Sequence, residues 1–152
     1  MHELKTDYPV KVPIQTRFCD TDASGHINNV ALMSYFELAR ANYFRAAMGR
    51  FNRSGQGFIL GSIDARFLRQ AYFGDELEAE AGLSGVGRSS FRLSCRLLNR
   101  QTGEVIAESN AIVVSYDFGK KSSVPLPEDW KKAVAALEGL DPEDLEKERQ
   151  ER

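Results

Sequence analysis

What this chain lacks narrows the reading first. Its 152 residues include only two cysteines, Cys19 and Cys95. They have neither metal-ligand spacing nor the density of a disulfide framework, so the expectation is a reducing, cytoplasmic compartment with no metal and no cofactor. A formal charge of −2 and the absence of any basic run give no phosphate-backbone footprint, so nucleic acid is not an expected partner. No apolar run reaches spanning length, and the segment from Met1 to Asp7 lacks the apolar core of a signal peptide, so no membrane segment or targeting signal is expected. No internal repeat is visible. What remains is a 42% hydrophobic, 28% charged chain, enough for one ordinary domain with a real core and a polar surface.

Period-two patterns supply the strands. Val10, Val12, Ile14, Thr16 and Phe18 alternate with polar neighbours, and Pro13 on the polar side predicts an edge strand or a strand start. A helix is predicted from about Asn28 to Met48, with Asn28 or Asn29 as N-cap and Gly49 as its stop. Its apolar residues, among them Val30, Leu32, Tyr35, Phe36, Leu38 and Phe44, spread around much of its circumference, which predicts burial on most sides. Four further strands are expected. The first runs from Ile59 to Phe73, and the second sets Leu77, Ala79 and Ala81 against the half-exposed Glu76, Glu78 and Glu80. The third points Phe91, Leu93, Cys95 and Leu97 inward, and Ile112, Val114, Tyr116 and Phe118 mark the last. Pro127 opens a short helix to about Leu137.

The expected fold class is α+β, with a sheet wrapped over one helix. One sheet covers only one side of such a helix, so self-association is expected. Residues 1–138 form the expected domain, and 139–152 a charged, solvated tail with little apolar surface.

Between the first strand and the long helix, Arg17 to Asn29 gathers Asp20, Asp22, His26, Asn28 and Asn29. An acid just ahead of a helix N-terminus lies where a carbonyl under attack would meet hydrogen-bond donors. Asp22 is equally well suited to a turn or cap. His26, with its near-neutral reference pKa, suits tuning of Asp22, proton transfer or capping. Gly25 supplies a backbone shape that other residues resist.

The order Arg17-Phe18, Asp20-Thr21-Asp22, Gly25-His26-Ile27-Asn28-Asn29 and then Tyr35-Phe36-Glu37-Leu38-Ala39-Arg40 resembles hotdog-fold acyl-CoA thioesterases of the 4-hydroxybenzoyl-CoA thioesterase type. Gly74-Asp75, Gly87-Arg88-Ser89-Ser90 and Pro125-Leu126-Pro127 follow in the same order, so the likeness covers about residues 8 to 137. The resemblance implies a long central helix wrapped by a five-stranded antiparallel sheet, dimers or tetramers, and active sites at subunit interfaces. It also implies hydrolysis of an acyl-CoA thioester, with Asp22 as nucleophile or general base and a backbone N–H at Asn29 polarising the carbonyl. Some members carry histidine at that position, so Asn29 departs from their pattern; a His-Asn-Asn variant occurs in another branch.

Arg88, Ser89, Ser90, Lys120 and Lys121 are the implied contacts for the CoA phosphates, across a subunit boundary. The rival reading makes them ordinary polar turns. Tyr35 and the Leu60-Gly61 region are candidates for the acyl pocket. Asp20 is expected to order the loop by pairing with Arg17. Glu37 matches a catalytic acid of a sister branch, but its spacing favours a pair with Arg40. Two alternatives stand beside hydrolysis of acyl-CoA: a non-catalytic acyl-CoA or lipid-binding module, and a thioesterase acting on acyl-carrier protein.

Overall fold

Small side chains decide where the long helix sits. Ala79, Ala81, Cys95, Ala107, Ser109 and Ala111 are buried on the inner face of the sheet, and such short side chains let a helix come close. The computed structural model describes residues 8–49 and 55–145. In order they form β1 (Val10–Ile14), a 3-10 turn (Phe18–Asp20), α1 (Asn29–Met48), β2 (Gln56–Phe67), β3 (Leu77–Val86), β4 (Ser90–Asn99), β5 (Val105–Asp117), the two-residue β6 (Ser122–Ser123) and α2 (Glu128–Glu138). The sheet is antiparallel with strand order β1-β3-β4-β5-β2, and β6 pairs with the end of β5. The helix α1 lies mainly across β1, β3 and β4, and α2 packs on α1. This is the expected central helix wrapped by five antiparallel strands.

Local signals place the ends of α1. The Asn28 side chain accepts from the Ala31 N–H at 2.8 Å, and Gly49 ends the helix with φ +69°. At its far end Phe44, Phe58, Phe91 and Trp130 form an aromatic cluster that joins α1, β2, β4 and α2; the Phe91 and Trp130 centroids are 4.4 Å apart. Tyr43 donates to Glu138 at 2.8 Å, and Glu138 also accepts from the Leu83 N–H, which ties α2 to α1 and β3.

Several expectations need correction. The first strand stops at Ile14, and Phe18, expected inside, is 77% exposed. The chain winds at that point because the Asp20 carboxylate turns back to accept from the Arg17 N–H at 3.0 Å. The second strand begins at Gln56 and ends at Phe67, leaving Phe73 on an exposed loop. On β5 the inward residues are Ala107, Ser109, Ala111, Val113 and Ser115, and the larger Ile112, Val114 and Tyr116 face outward, half-buried. The helix is less enclosed than its composition suggests, since Val30 is 71% and Leu38 45% exposed.

Glu80 is buried rather than solvent-facing. It pairs with Arg96 and with Lys11, and the Arg96 guanidinium lies 4.7 Å from the Tyr8 ring centroid. These residues belong to an alternating row across all five strands: Lys11, Glu80, Arg96, Glu108 and Arg66. At the chain's end Asp141 caps a helical turn over residues 142–145, and Leu145 is buried in the core. Residues 146–152 of the expected tail, and the Met1 to Asp7 segment, lie outside the described residues.

Candidate active site

The Arg17–Asn29 loop folds as a small hairpin in front of α1. Asn28 N–H bonds the Asp20 carbonyl, Thr21 bridges Ile27, and Asp22 N–H bonds the His26 carbonyl at 2.9 Å. The turn closes between the Asp22 carbonyl and the Gly25 N–H at 3.0 Å, with Gly25 at φ +81°. That left-handed backbone is the reason the position favours glycine.

The two aspartates have different surroundings. Asp20 is 6% exposed and receives the Tyr35 hydroxyl at 2.6 Å together with the Arg17 backbone N–H. Burial works against its ionised form, but the bonds from Tyr35 and Arg17 outweigh it and hold the carboxyl below the usual range. Burial, followed by contact with Asp20, pushes the Tyr35 hydroxyl well above an ordinary tyrosine. Tyr35 therefore clamps the hairpin to the helix within this chain.

Asp22 is exposed at the hairpin tip. Its Oδ1 accepts from the Ser24 hydroxyl at 2.9 Å, the Ser24 N–H at 2.9 Å and the His26 N–H at 3.3 Å. The Ser24 hydroxyl bond is the largest influence that holds the carboxyl below its usual range; desolvation opposes it, and the backbone bonds and His26 add to it. An ionised oxygen facing solvent suits a base or nucleophile.

His26 is half-buried with its ring edge-on to Tyr72, centroids 5.1 Å apart. Asn29 is the exposed first residue of α1. The N-cap side chain occupies the Ala31 N–H, and no acceptor within the described residues meets the N–H groups of Asn29 and Val30. Those two free donors point out of the helix start, as an oxyanion site requires. Phe18, Tyr72, Phe73 and Val30 surround the loop with exposed apolar surface. Sequence reasoning passed over Ser24 and Tyr72, which carry no motif of their own and act through contacts.

The remaining candidates are placed elsewhere. Arg88, Ser89 and Ser90 form the β3–β4 turn; the Ser89 carbonyl accepts from the Ser115 N–H, and the Arg88 carbonyl from the Leu126 N–H. Lys120 and Lys121 are exposed in the β5–β6 turn, which Asp117 organises by accepting the Gly119 and Lys120 N–H groups. Both turns belong to the end of the sheet next to Met48. The hairpin packs at the other end, where the segment after Phe67 meets it through Tyr72. From Ala107 to Asp117, β5 alone spans about 33 Å. One chain therefore does not bring Asp22 together with these basic groups.

The expected Glu37–Arg40 pair does not form: Glu37 is exposed, while Arg40 turns toward the sheet near Cys95 and its Nη1 is buried with no acceptor among the described residues. Burial, partly offset by Arg40 and Ser109, pushes the Cys95 thiol up to about 12. Among the described residues no group of three His, Cys, Asp or Glu side chains forms a metal-ligating cluster, and no helix is long and apolar enough to cross a membrane. A concavity of about 440 Å³ lies between Ile14–Thr16 and Phe73–Leu77, but Asp22, His26 and Asn29 are not among its walls.

A long helix laid on an antiparallel sheet, with an acid-bearing hairpin clipped to its N-terminus, is the arrangement of hotdog thioesterases. The sequence matches the Thioesterase-like superfamily over residues 16–134, and the chain belongs to that family. It is 30% identical over 128 residues to a 1,4-dihydroxy-2-naphthoyl-CoA hydrolase of Synechococcus elongatus, covering 78% of this chain and 92% of that protein. Against YsmA of Bacillus subtilis it is 33% identical over 91 residues, 60% of this chain and 62% of that protein, so the match spans less than two thirds of YsmA. A Thermus thermophilus thioesterase solved with coenzyme A and Zn superposes with a TM-score of 0.80 at 32% identity, covering 90% of this chain and 99% of that one.

Proposed function

We propose that this protein hydrolyses an acyl-CoA thioester to the free acid and CoA. The observation that carries the reading is the Asp22 carboxylate, held ionised beside a helix start whose first two N–H groups lack acceptors among the described residues. The CoA-bound Thermus structure and the CoA hydrolase from Synechococcus support the substrate class.

A thioester carbonyl has little resonance stabilisation and a good leaving group. In one route Asp22 removes a proton from water as the oxygen attacks the carbonyl carbon; the oxyanion meets the Asn29 and Val30 N–H groups, the C–S bond breaks, and the thiolate takes a proton. In the other, Asp22 attacks the carbon itself, CoA thiolate leaves, and water cleaves the acyl–aspartyl anhydride to acid and aspartate. His26, across the hairpin from Asp22, is the residue proposed to give a proton to the leaving thiolate.

The reading extends to completion of the site by a second copy. Arg88, Ser89, Ser90, Lys120 and Lys121 sit at the opposite end of the sheet, so the reading has them serve the partner's Asp22 in a dimer. The place of β2 at the edge of the sheet and the exposed Val30 and Leu38 support this. Residues 1–138 are the proposed catalytic domain, in a cytoplasmic setting where Cys19 and Cys95 stay free thiols.

Asp22→Asn should lower thiol release by about 10²-fold or more, since it removes a base or nucleophile, with the melting curve retained. Turnover close to wild type would refute the assignment. Release from CoA and carrier-protein thioesters of one acyl group, compared side by side, identifies the carrier. A purely monomeric sedimentation mass at micromolar concentration would refute the shared site.

A further inference from the structure

We propose that Ser24 is a positioning residue that selects Oδ2 of Asp22 as the reacting atom. The inference rests on the catalytic reading of Asp22. Three donors converge on Oδ1: the Ser24 hydroxyl, the Ser24 N–H and the His26 N–H, at 2.9, 2.9 and 3.3 Å. A carboxylate oxygen offers about two lone-pair directions, so Oδ1 has none left for water or a thioester carbon. Oδ2 accepts no bond within the described residues. The carboxylate is pinned through one oxygen and presents the other.

The two Ser24 contacts are not equivalent. The backbone N–H would remain with any residue but proline at this position, whereas the hydroxyl belongs to serine or threonine. The hydroxyl is thus the part of the clamp that this particular sequence supplies. It stabilises the ionised form, so it extends the pH range over which Asp22 is a carboxylate while making it a weaker base. The titratable groups facing Asp22 are His26 across the hairpin and Tyr72, packed on the His26 ring from the β2–β3 connection; Asp75 in that connection accepts from the Tyr72 N–H at 2.9 Å.

The test follows the Asp22 carboxyl directly, by ¹³C NMR titration of the full chain, alongside the pH profile of kcat/KM. In Ser24→Ala the Asp22 titration and the acid limb of kcat/KM should both move to higher pH. Ser24→Thr should return both toward wild type, with an unchanged melting midpoint in each variant. An Asp22 titration unmoved by Ser24→Ala overturns the positioning role even if Asp22→Asn is inactive. A shifted titration with an unmoved acid limb overturns its link to turnover. Full turnover in Asp22→Asn instead removes the catalytic reading itself, and the NMR titration reports that case separately.

Discussion

Replacing Tyr35 with phenylalanine separates two readings of one side chain. As a wall of the acyl pocket, Tyr35 would change KM for the acyl group when altered. As observed, its hydroxyl donates at 2.6 Å to Asp20, and both residues are buried. Phenylalanine keeps the ring packing and deletes only that bond. Asp20 then retains the Arg17 backbone bond at 3.0 Å and a long contact to the Arg17 guanidinium at 3.4 Å. Hydrogen bonds to charged groups contribute about 1.5–3 kcal/mol. For a chain of this size the loss corresponds to a midpoint about 3–12 °C lower.

The pH dependence gives a second check. Asp20 titrates below its ordinary value near 3.8 in the folded chain, so its contribution is fully present above that value. It is lost as pH falls through the lowered folded value. Thermal melts of wild type and Tyr35→Phe should therefore lie apart at pH 7 and converge as pH falls through the lowered value of Asp20. A double-mutant cycle with Asp20→Asn should show coupling at neutral pH. A midpoint unchanged at pH 7, with KM shifted for bulky acyl groups, would refute the clamp and restore the pocket-wall role.

Glu80→Ala should destabilise by roughly 3 kcal/mol, because it strands the Arg96 charge in a partly buried site; a loss below about 0.5 kcal/mol in denaturant melts would show the pair to be idle. Replacing Glu80 and Arg96 together by leucine should cost much less than Glu80→Ala alone. If two copies share a site, Val30→Asp, which places a charge on the bare helix face, should shift the sedimentation equilibrium toward monomer and lower specific activity as the protein is diluted.

Local chemistry made parts of the fold and site readable from the chain. The Asn28 cap and the Gly49 stop are local signals, and both fall where the sequence puts them. The β4 alternation was equally readable, since Phe91, Leu93, Cys95 and Leu97 all reach the core. The misread elements depended on partners far along the chain. On β5 the larger residues look like the inner face, but the close approach of α1 reserves that face for Ala107, Ser109 and Ala111. Glu80 reads as solvent-facing until Arg96, Lys11 and Tyr8 are assembled over it. Phe18 keeps the strand alternation, but the demand of Asp20 for donors ends the strand first. At the site, Asp22, Gly25 and the helix start were legible as a motif; the donors crowding Oδ1 were not, because Ser24 is unremarkable as a letter.

The row from Lys11 to Arg66 also bears on how the chain finds its pairing. The inner face of β3 and β5 repeats small residues, Ala79 and Ala81 on one strand and Ala107 and Ala111 on the other, so its apolar pattern discriminates weakly against a shift of two residues. The charges discriminate strongly. Such a shift of β4 past β3 would bring Ser94 or Leu98 opposite Glu80 in place of Arg96, leaving an anion sealed against a neutral neighbour. The row acts as a key cut across the sheet: a slip of two residues takes the tooth opposite Glu80 out of its notch, and the native alignment puts it back.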